Sequence, residues 1–522
     1  MIPMRQRRGR QTPAAPLSVP APTGGLNALD SLAAMPPMDA VILDNFFPQT
    51  TTVDLRNGCK TIVTGLPANV ESLMTYNGAS VSKMFAASGT AFYDVSVAGA
   101  VGAAVVSGLA NARWQHVNFG TPGNQFLMAV NGADKLAGYD GSAWWRDGGG
   151  THDITGVDTA TCVHINSYKN RVYLVKKDSF SVYYLPLNSI AGAATQLDLA
   201  PLFRLGGYLM AMATWTIDNT QGVNEYAVFI SSQGEVALYY GSDPGSTDWQ
   251  LRGMFRVGRP IGRRCFVKYG ADLALICADG LMPLSKALLT DRTQDQNAIS
   301  YKITNLITGD VTTFGANFGW QVLLYPIGNK LILNVPTIEG KTQVQYVMNT
   351  ITGAWCRFTG WNANCFELFN DDLYFGSNLG ATANSAYVAK CDTGFSDDGA
   401  YIVGEVKTAF RYFGAPGQQK QITMVRPIFR TAGRMGAAIA MDMDFSDNYP
   451  QSMPTFSGTT QTAWGTALWN TFPWGSTAGI LKDWQGVNAI GDAGSLHMRI
   501  VNNQFAVEWQ SVEYLYKVGG FV

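Results

Sequence analysis

Charged side chains are scarce in this 522-residue chain. Asp, Glu, Lys and Arg make up 14% of it, whereas an ordinary soluble domain contains about 25%. The formal net charge is −1, so no overall basic field draws the protein onto nucleic acid. Stable assembly interfaces are poor in charge at their centres. The composition therefore favours a protein that functions within a complex, although a large all-β monomer has the same balance.

Long apolar runs are also missing. The most apolar stretch, Ala98–Ala110, is short and rich in Gly, Ala and Val, so we expect no membrane span. The N-terminus is basic but no apolar segment follows it, and we expect no secretory signal. The seven cysteines include no Cys-x-x-Cys pair. We predict buried thiols in a reducing compartment.

Motifs that carry catalysis, cofactors or metals are lacking as well. The sequence has no Gly-x-Ser-x-Gly elbow, no phosphate-binding Gly-Lys-Ser/Thr loop and no His-Glu-x-x-His. The four histidines, at positions 116, 152, 164 and 497, are far apart and form no metal-spaced pair. We therefore predict that the protein is not an enzyme and has no catalytic residue, no cofactor and no metal.

Aspartates at predicted turns are the remaining candidates for chemistry. Glycosidases use pairs of carboxylates, and Asp134, Asp140, Asp243 and Asp272 all lie at turns. Asp is also a common turn former, because its side chain accepts hydrogen bonds from nearby backbone amides, and we favour that role. Residues 242–249 imitate a sialidase Asp-box with altered spacing and no second copy, so we predict a turn with an aromatic staple.

A second acidic group lies near the C-terminus. Asp442, Asp444 and Asp447 offer oxygens that suit Ca²⁺. The segment lacks the Gly and the distal Glu of an EF-hand loop. We prefer a strand end followed by a polar turn.

What the chain does contain is a short β unit, written many times. In the cleanest copy, Phe126–Val130 is a strand, Asn131-Gly132 a turn, Leu136–Tyr139 a second strand, and Asp140-Gly141 a second turn before a third strand. Such a meander cannot bury its own faces and must stack on copies of itself. The unit predicts a repeat architecture.

The spacing of these units predicts an all-β fold built around a β-propeller of six or seven irregular blades. The units recur at roughly 30–45 residues, the range of propeller blades. They lie near 70–96, 112–147, 160–185, 206–252, 262–284, 320–359 and 362–392. Helix is predicted only at Leu284–Leu289 and Asn297–Leu306.

We place the propeller at residues 25–406 and a second, sandwich-like β region at 407–522. Alternating strands are predicted at Ile422–Thr431, Ala437–Asp444, His497–Val501 and Gln504–Tyr516. Residues 446–483 are rich in Ser, Thr, Gly, Pro and Trp and are predicted to form a long surface excursion.

Residues 1–24 are predicted to form an extended arm. Four arginines are followed by a Pro/Ala stretch that cannot build a core. The arm is either a disordered terminus or a segment that orders only against a neighbouring subunit. Its arginines suit phosphates and acidic residues of a partner subunit equally well. The candidate subunit-interaction residues are Arg5, Arg7, Arg8 and Arg10, together with the aromatic anchor Phe46 and Phe47.

The chain shows a family resemblance in separate islands. The first island comprises Gly24–Asn27, Met35–Ala40, Leu43–Pro48 and Val53–Gly58. This run resembles the opening of tail proteins of short-tailed bacteriophages, the nozzle or tail-tubular-protein-B-like group. Similar islands follow at Ser231–Gly241 with Asp243-Pro244 and Trp249, at Lys268–Leu273, at Asp279–Leu284, at Gly414–Gly417 and at Tyr514–Gly520.

The resemblance implies a β-propeller protein in a hexameric ring at the far end of a phage tail. The ring sits below an adaptor ring, lets DNA out through its channel and offers attachment surfaces for fibres or spikes. Its place is the virion, after assembly in the host cytoplasm. The family supplies no catalytic residues.

Our hypothesis is therefore a virion structural protein, the nozzle of a short non-contractile tail, with DNA present only in transit. Few charges suit a conduit, since each Lys or Arg that lines the path adds salt-dependent phosphate binding. The alternative is a carbohydrate-binding or glycan-cleaving β-propeller of a receptor-binding tail component. A third hypothesis is a cellular propeller scaffold.

Overall fold

The computed structural model describes residues 15–219, 222–287, 298–450 and 479–521. The chain divides into two compact units. The propeller unit consists of Gly58–Gly353 and Phe358–Gly394, and the terminal unit of the described parts of Met1–Asn57, Ala354–Arg357 and Phe395–Val522. In the described ranges, no helix has the length and apolar character needed to cross a membrane.

The described residues of the propeller unit form seven antiparallel blades, which we number in chain order; the strands of blade 6 are part of a nine-stranded sheet. From the inner edge outward their strands are Val70–Asn77, Ser82–Ser88, Ala91–Asp94 and Val106–Ser107 (blade 1); Gln115–Gly120, Gln125–Val130, Ala137–Tyr139 and Trp144–Arg146 (blade 2); Cys162–Tyr168, Arg171–Lys176, Ser181–Tyr184 and Thr195–Asp198 (blade 3); Leu209–Asn219, Gly222–Ser231, Glu235–Tyr240 and Gln250–Arg256 (blade 4); Phe266–Tyr269, Asp272–Cys277 and Gly280–Pro283 (blade 5); Gln321–Tyr325, Lys330–Ile338 and Thr342–Asn349 (blade 6); and Ala363–Phe369, Asp372–Ser377, Ala386–Cys391 and Cys59–Leu66 (blade 7). Short parallel pairs add Gly99–Ala100 beside Cys59–Leu66, and Ile154–Thr155 with Gly192–Ala193.

The seven blades close into a ring. Inner strands of successive blades contact one another, except that Leu209–Asn219 of blade 4 contacts the second strand of blade 5, Asp272–Cys277. Ala363–Phe369 of blade 7 contacts Val70–Asn77 of blade 1. The outermost strand of blade 7 is Cys59–Leu66, which precedes blade 1 in the chain. Val63 pairs with Val388 and Cys59 with Cys391. A strand from before the first blade therefore completes the last one.

The hydrophobic cores lie between neighbouring blades. One core joins blades 1 and 2 through Phe85, Phe92, Trp114 and Tyr139. Equivalent cores join blades 2 and 3, 3 and 4, 4 and 5, and 7 and 1. Blades 1 to 4 thus bury both faces against their neighbours, as a stacked meander must. All seven cysteines are buried, as predicted.

Hairpins predicted from local pattern are confirmed. The unit at Gln125–Val130, Ala137–Tyr139 and Trp144–Arg146 pairs as expected. The blade number, predicted as six or seven, is seven. Helix is scarce in the described residues, as expected: Thr159–Thr161 and Tyr301–Ile303 are 3-10 turns, and Leu284–Ala287 and Thr304–Phe314 are α-helices. The second helix begins and ends later than predicted, and Thr312 and Thr313 bond back to the carbonyls of Thr308 and Gly309.

The terminal unit is sandwich-like and all β. One sheet is centred on the long pair Gln418–Thr431 and Val507–Phe521, flanked by Gly479–Lys482 and Gln485–Gly491 on one side and by Ala15–Pro20, Val53–Leu55 and Phe46–Pro48 on the other. The second sheet contains Gly25–Leu26, Asp39–Asp44, Trp355–Phe358, Ile402–Thr408, Gly494–Asn502 and Ala437–Met443.

The unit boundaries differ from the predicted ones. We placed residues 25–57 and 395–406 in the propeller, but they pair with C-terminal strands in the terminal unit. The last part of the predicted arm, Ala15–Pro20, is a strand paired with Ser511–Tyr516 of the same chain. Local strand patterns cannot reveal these assignments, because the partners lie hundreds of residues away. Most of the predicted 446–483 excursion, residues 451–478, lies outside the described residues.

Candidate functional site

The predicted subunit-interaction residues divide into two groups. Arg5, Arg7, Arg8 and Arg10 lie outside the described residues. Phe46 is 0% and Phe47 4% exposed, and the Phe46 ring lies 6.2 Å from that of Trp509. A side chain buried in its own unit offers no surface to a neighbour. The structure therefore corrects this prediction: Phe46 and Phe47 are core residues.

The segment around Phe46 is held by a buried polar network. Asn45 adopts a φ of 57°, and its Oδ1 accepts a 2.8 Å hydrogen bond from Arg56 Nε. The Arg56 guanidinium, 1% exposed, also donates to both carboxylate oxygens of Asp397 at 2.8 and 2.6 Å. Such bidentate pairs are geometrically specific. Hydrogen bonds through Asn45, Arg56 and Asp397 therefore link residues 45–56 to the segment that follows residue 394.

The turn aspartates have structural partners, as favoured from the sequence. Asp140 Oδ1 accepts from the Ser142 and Ala143 amides at 2.8 and 2.7 Å. Asp134 accepts from the Ala110 amide at 2.8 Å and from Asn131 Nδ2 at 2.7 Å.

The other two aspartates link neighbouring elements. Asp243 pairs with Arg171 of blade 3 at 2.7 Å, and Asp272 accepts from Ser285. In the Asp-box imitation, Trp249 stacks on Tyr239 with ring centroids 5.0 Å apart, which confirms the turn with an aromatic staple.

An arginine crosses the axis of the propeller unit. Arg264 precedes the inner strand of blade 5, yet its Nη2 donates to Ser72 Oγ of blade 1 at 2.7 Å and to the Glu71 carbonyl at 2.9 Å. It also lies 3.4 Å from the Trp114 carbonyl at the start of blade 2. Blade 5 is adjacent to neither blade on the ring, so this side chain must span the centre. Arg264 therefore links blade 5 to blade 1 and to the segment that precedes blade 2.

Two titratable groups face the same axial region. His116 of blade 2 and Glu367 of blade 7 place Nε2 and Oε2 3.7 Å apart, with side chains 18% and 19% exposed. Burial, then the charge of Arg264, lowers the pKa of His116 to about 4. Burial raises the pKa of Glu367 to about 7. His116 is therefore neutral near pH 7, and its contact with Glu367 is polar rather than ionic.

Adjacent inner strands hold a second imidazole. His164 of blade 3 is 4% exposed, and its Nδ1 accepts from the Met212 amide at 3.4 Å. Burial, with the nearby Arg263 charge, lowers the pKa of His164 to about 3. Perturbed titratable groups collect at functional sites but also at structural ones. Here His164 accepts a hydrogen bond from the blade backbone, and His116 lies near the charge of Arg264.

The terminal unit contains a polar cluster that the sequence indicated only in part. Lys407 Nζ lies 2.8 Å from Asp442 Oδ2 and 2.9 Å from Asp447 Oδ1. His497 Nδ1 lies 3.6 Å from the same Asp442 oxygen. Asp444, grouped with these aspartates as a Ca²⁺ candidate, instead accepts from the amides of Asp492 and Ala493. The structure thus separates Asp444 from the pair and brings in Lys407 and His497.

Sequence reasoning missed Lys407 and His497 because strand pairing joins them across 90 residues. The pairing of Lys407 with His497, and of His497 with Ala440, sets their side chains on one face. The strand pattern gave no signal of this burial. His497 and Asp442 lie on the face opposite the apolar residues Leu496, Met498 and Met441, where alternation is compatible with polar side chains exposed to solvent.

Comparisons with known proteins add little to these observations. No known family model and no curated protein matches the sequence. Among solved structures, one similar chain comes from a crystal structure of BBS1N in complex with ARL6DN, soaked with lead. It has a TM-score of 0.39 and 10% identity, covering 66% of this chain and 99% of that chain. A second, soaked with mercury, has a TM-score of 0.27 and 13% identity, covering 40% of this chain and 63% of that one. At these values the propeller assignment rests on the seven blades themselves.

Proposed function

We propose that this protein is a virion structural protein, the nozzle of a short non-contractile phage tail. In this proposal copies of the chain form a ring, most simply a hexamer, below an adaptor ring. Genomic DNA passes through the ring's channel, and fibres or spikes attach to its outside. The protein performs no catalysis.

The observation that carries the proposal is how the islands of resemblance fold. The first island, apart from its last residue Gly58, and Tyr514–Gly520 are far apart in the sequence, yet both belong to the terminal unit. Val53–Leu55 pairs with Val507–Phe521, which also pairs with Gln418–Thr431, just after Gly414–Gly417. Three of the six islands thus fold into the terminal unit, and the other three lie in the propeller unit. Family-like motifs that are distant in sequence and pair in one unit support the proposal.

The axial arginine adds a constraint on the channel. Arg264 reaches from blade 5 to blade 1 of the propeller unit, which supports a DNA path outside the propeller's own axis. In the proposal, the DNA channel is enclosed by several copies of the chain. Head-to-tail contacts that close on themselves generate such rings.

Assembly state tests the proposal. We expect mass photometry and electron microscopy of the purified protein, alone and with the adaptor protein of the same particle, to show closed rings at a multiple of the 56.4 kDa chain mass. A strict monomer in both samples contradicts the proposal. Glycan hydrolysis that is lost in Asp134→Asn or Asp243→Asn would instead favour the glycan-cleaving alternative.

A further inference from the structure

The polar cluster of the terminal unit has an unusual arrangement around one imidazole. His497 is 2% exposed. Its Nε2 lies 3.0 Å from Glu405 Oε1, and its Nδ1 faces Asp442 Oδ2 at 3.6 Å and Asp447 Oδ1 at 4.0 Å. One atom from each of His497, Asp442 and Asp447 lies within 4.8 Å of the others.

One of these atoms has unmet hydrogen-bonding capacity. His497 Nδ1 is buried and makes no hydrogen bond, whereas Asp442 Oδ2, in a side chain that is 0% exposed, lies 2.8 Å from the Lys407 ammonium. Buried polar atoms in native proteins are nearly always satisfied, and each exception calls for an explanation such as an ion. With Nε2–H donated to Glu405, the Nδ1 lone pair points at the two carboxylates.

We propose that Asp442, Asp447 and His497 bind a divalent transition-metal ion of the Zn²⁺ class. The pairing of His497 with Glu405 matches the second shell of metal sites, where a ligating histidine donates its other N–H to a carboxylate. One imidazole and two carboxylates suit Zn²⁺. Ca²⁺ prefers six to eight oxygens, which this set does not supply. Asp447 is 77% exposed, so the ion has a path from solvent.

Lys407 is the competing cation. Its ammonium lies against both carboxylates and donates to the Ser446 carbonyl at 3.0 Å. The other charged group facing this region, Arg499, lies over the Tyr449 ring at 5.8 Å. Metal binding therefore requires the Lys407 ammonium to move off the Asp442 and Asp447 oxygens. We expect the wild-type protein to bind Zn²⁺ more weakly than a variant without this ammonium.

Asp447 gives the first test, because it is exposed and its replacement leaves Lys407 with Asp442 and Ser446. Full-length protein is stripped with a chelator and titrated with Zn²⁺ by calorimetry. We expect one site in the wild type and at least tenfold weaker binding in Asp447→Asn. The matched control is Asp158→Asn, an exposed aspartate that also lies 2.9 Å from a lysine, Lys135, and it should bind as the wild type does. No binding by the wild type, or equal affinity in all three proteins, overturns the proposal.

Lysine substitutions give the second test. Lys407→Met leaves Asp442 without its cation, and we expect a lower Tm in chelator that Zn²⁺ restores. Lys420→Met is the control: Lys420 is 0% exposed and pairs with Asp492 at 2.6 Å, so its loss also destabilises, but Zn²⁺ should not restore it. An equal Zn²⁺ response in both overturns the proposal. If Lys407→Met cannot be purified, Glu405→Gln replaces it. We expect Glu405→Gln to bind Zn²⁺ at least about tenfold more weakly than the wild type, and a smaller loss of affinity contradicts the assignment of Glu405 as the hydrogen-bond partner of a metal-binding His497.

Discussion

Burial lowers the pKa of the histidines on the inner strands of the propeller unit. His164 is enclosed between inner strands and accepts a hydrogen bond from the Met212 amide. Protonating it costs this bond and places a charge beside Arg263, so burial and that charge lower its pKa to about 3. In the unfolded chain a histidine titrates near 6.5. Between these values the unfolded state binds more protons than the folded state.

This difference in bound protons determines how the free energy of unfolding depends on pH. His164 favours the folded state fully above about pH 6.5, and its contribution is lost as the pH falls toward about 3. Glu367 acts oppositely: its raised pKa of about 7 gives stability that is present below its unfolded value and lost as the pH rises through about 7.

We therefore predict that His164→Gln flattens the acid dependence of stability. The amide oxygen of Gln can still accept from Met212, and Glu367 is present in both proteins. The free energy of unfolding, measured in urea from pH 7 to pH 4.5, should fall less steeply in the variant, by up to about 1.4 kcal/mol per pH unit. Parallel pH profiles for the two proteins would rule out a neutral buried His164.

Among the elements, the strand Cys59–Leu66 has the largest structural effect. Hairpins within blades were predictable, because alternating residues and Asx turns such as Asp140 act over a few positions. The closing strand was not, because its partner Ala386–Cys391 lies more than 300 residues later. The same reason hid the cluster at Lys407 and His497. Sequence periodicity predicts strands and turns, whereas ring closure and polar clusters depend on distant pairing.

We predict that Val63→Asp opens the ring. Val63 is 1% exposed and packs in the core between blades 7 and 1. An unpaired buried carboxylate there should cost several kcal/mol. Thr64→Asp, on the exposed face of the same strand, should change stability by about 0.5 kcal/mol or less. Urea unfolding measures both, and equal effects would contradict closure by this strand.

On the scale of the whole molecule, both chain ends contribute to one unit. Ala15–Pro20 pairs with the strand Val507–Phe521. The sequence places Arg5, Arg7, Arg8 and Arg10 within ten residues of this paired strand.

If the arginines pair with acidic groups of a neighbouring subunit, replacing all four by alanine should weaken ring assembly. The strand Ala15–Pro20 is retained, so the free energy of unfolding of the single chain should not change. Replacement by four lysines keeps the charge and should retain most of the assembly. Mass photometry at low and high salt compares the three proteins, and unchanged assembly of the alanine variant would leave the arginines without a part in the ring.

The pairing of residue 15 with residue 516 determines when the terminal unit can fold during translation. The partner of the first strand leaves the ribosome about 500 residues later, which takes roughly 25–100 s at ordinary bacterial and eukaryotic elongation rates. Blades can form one by one in that interval, whereas the sheet of the terminal unit cannot be completed before residue 516 has emerged. A nascent chain therefore carries an unfinished terminal unit until that point. Any assembly that uses the completed unit needs a chain that extends past residue 516, so products truncated before it are excluded by the topology of the fold.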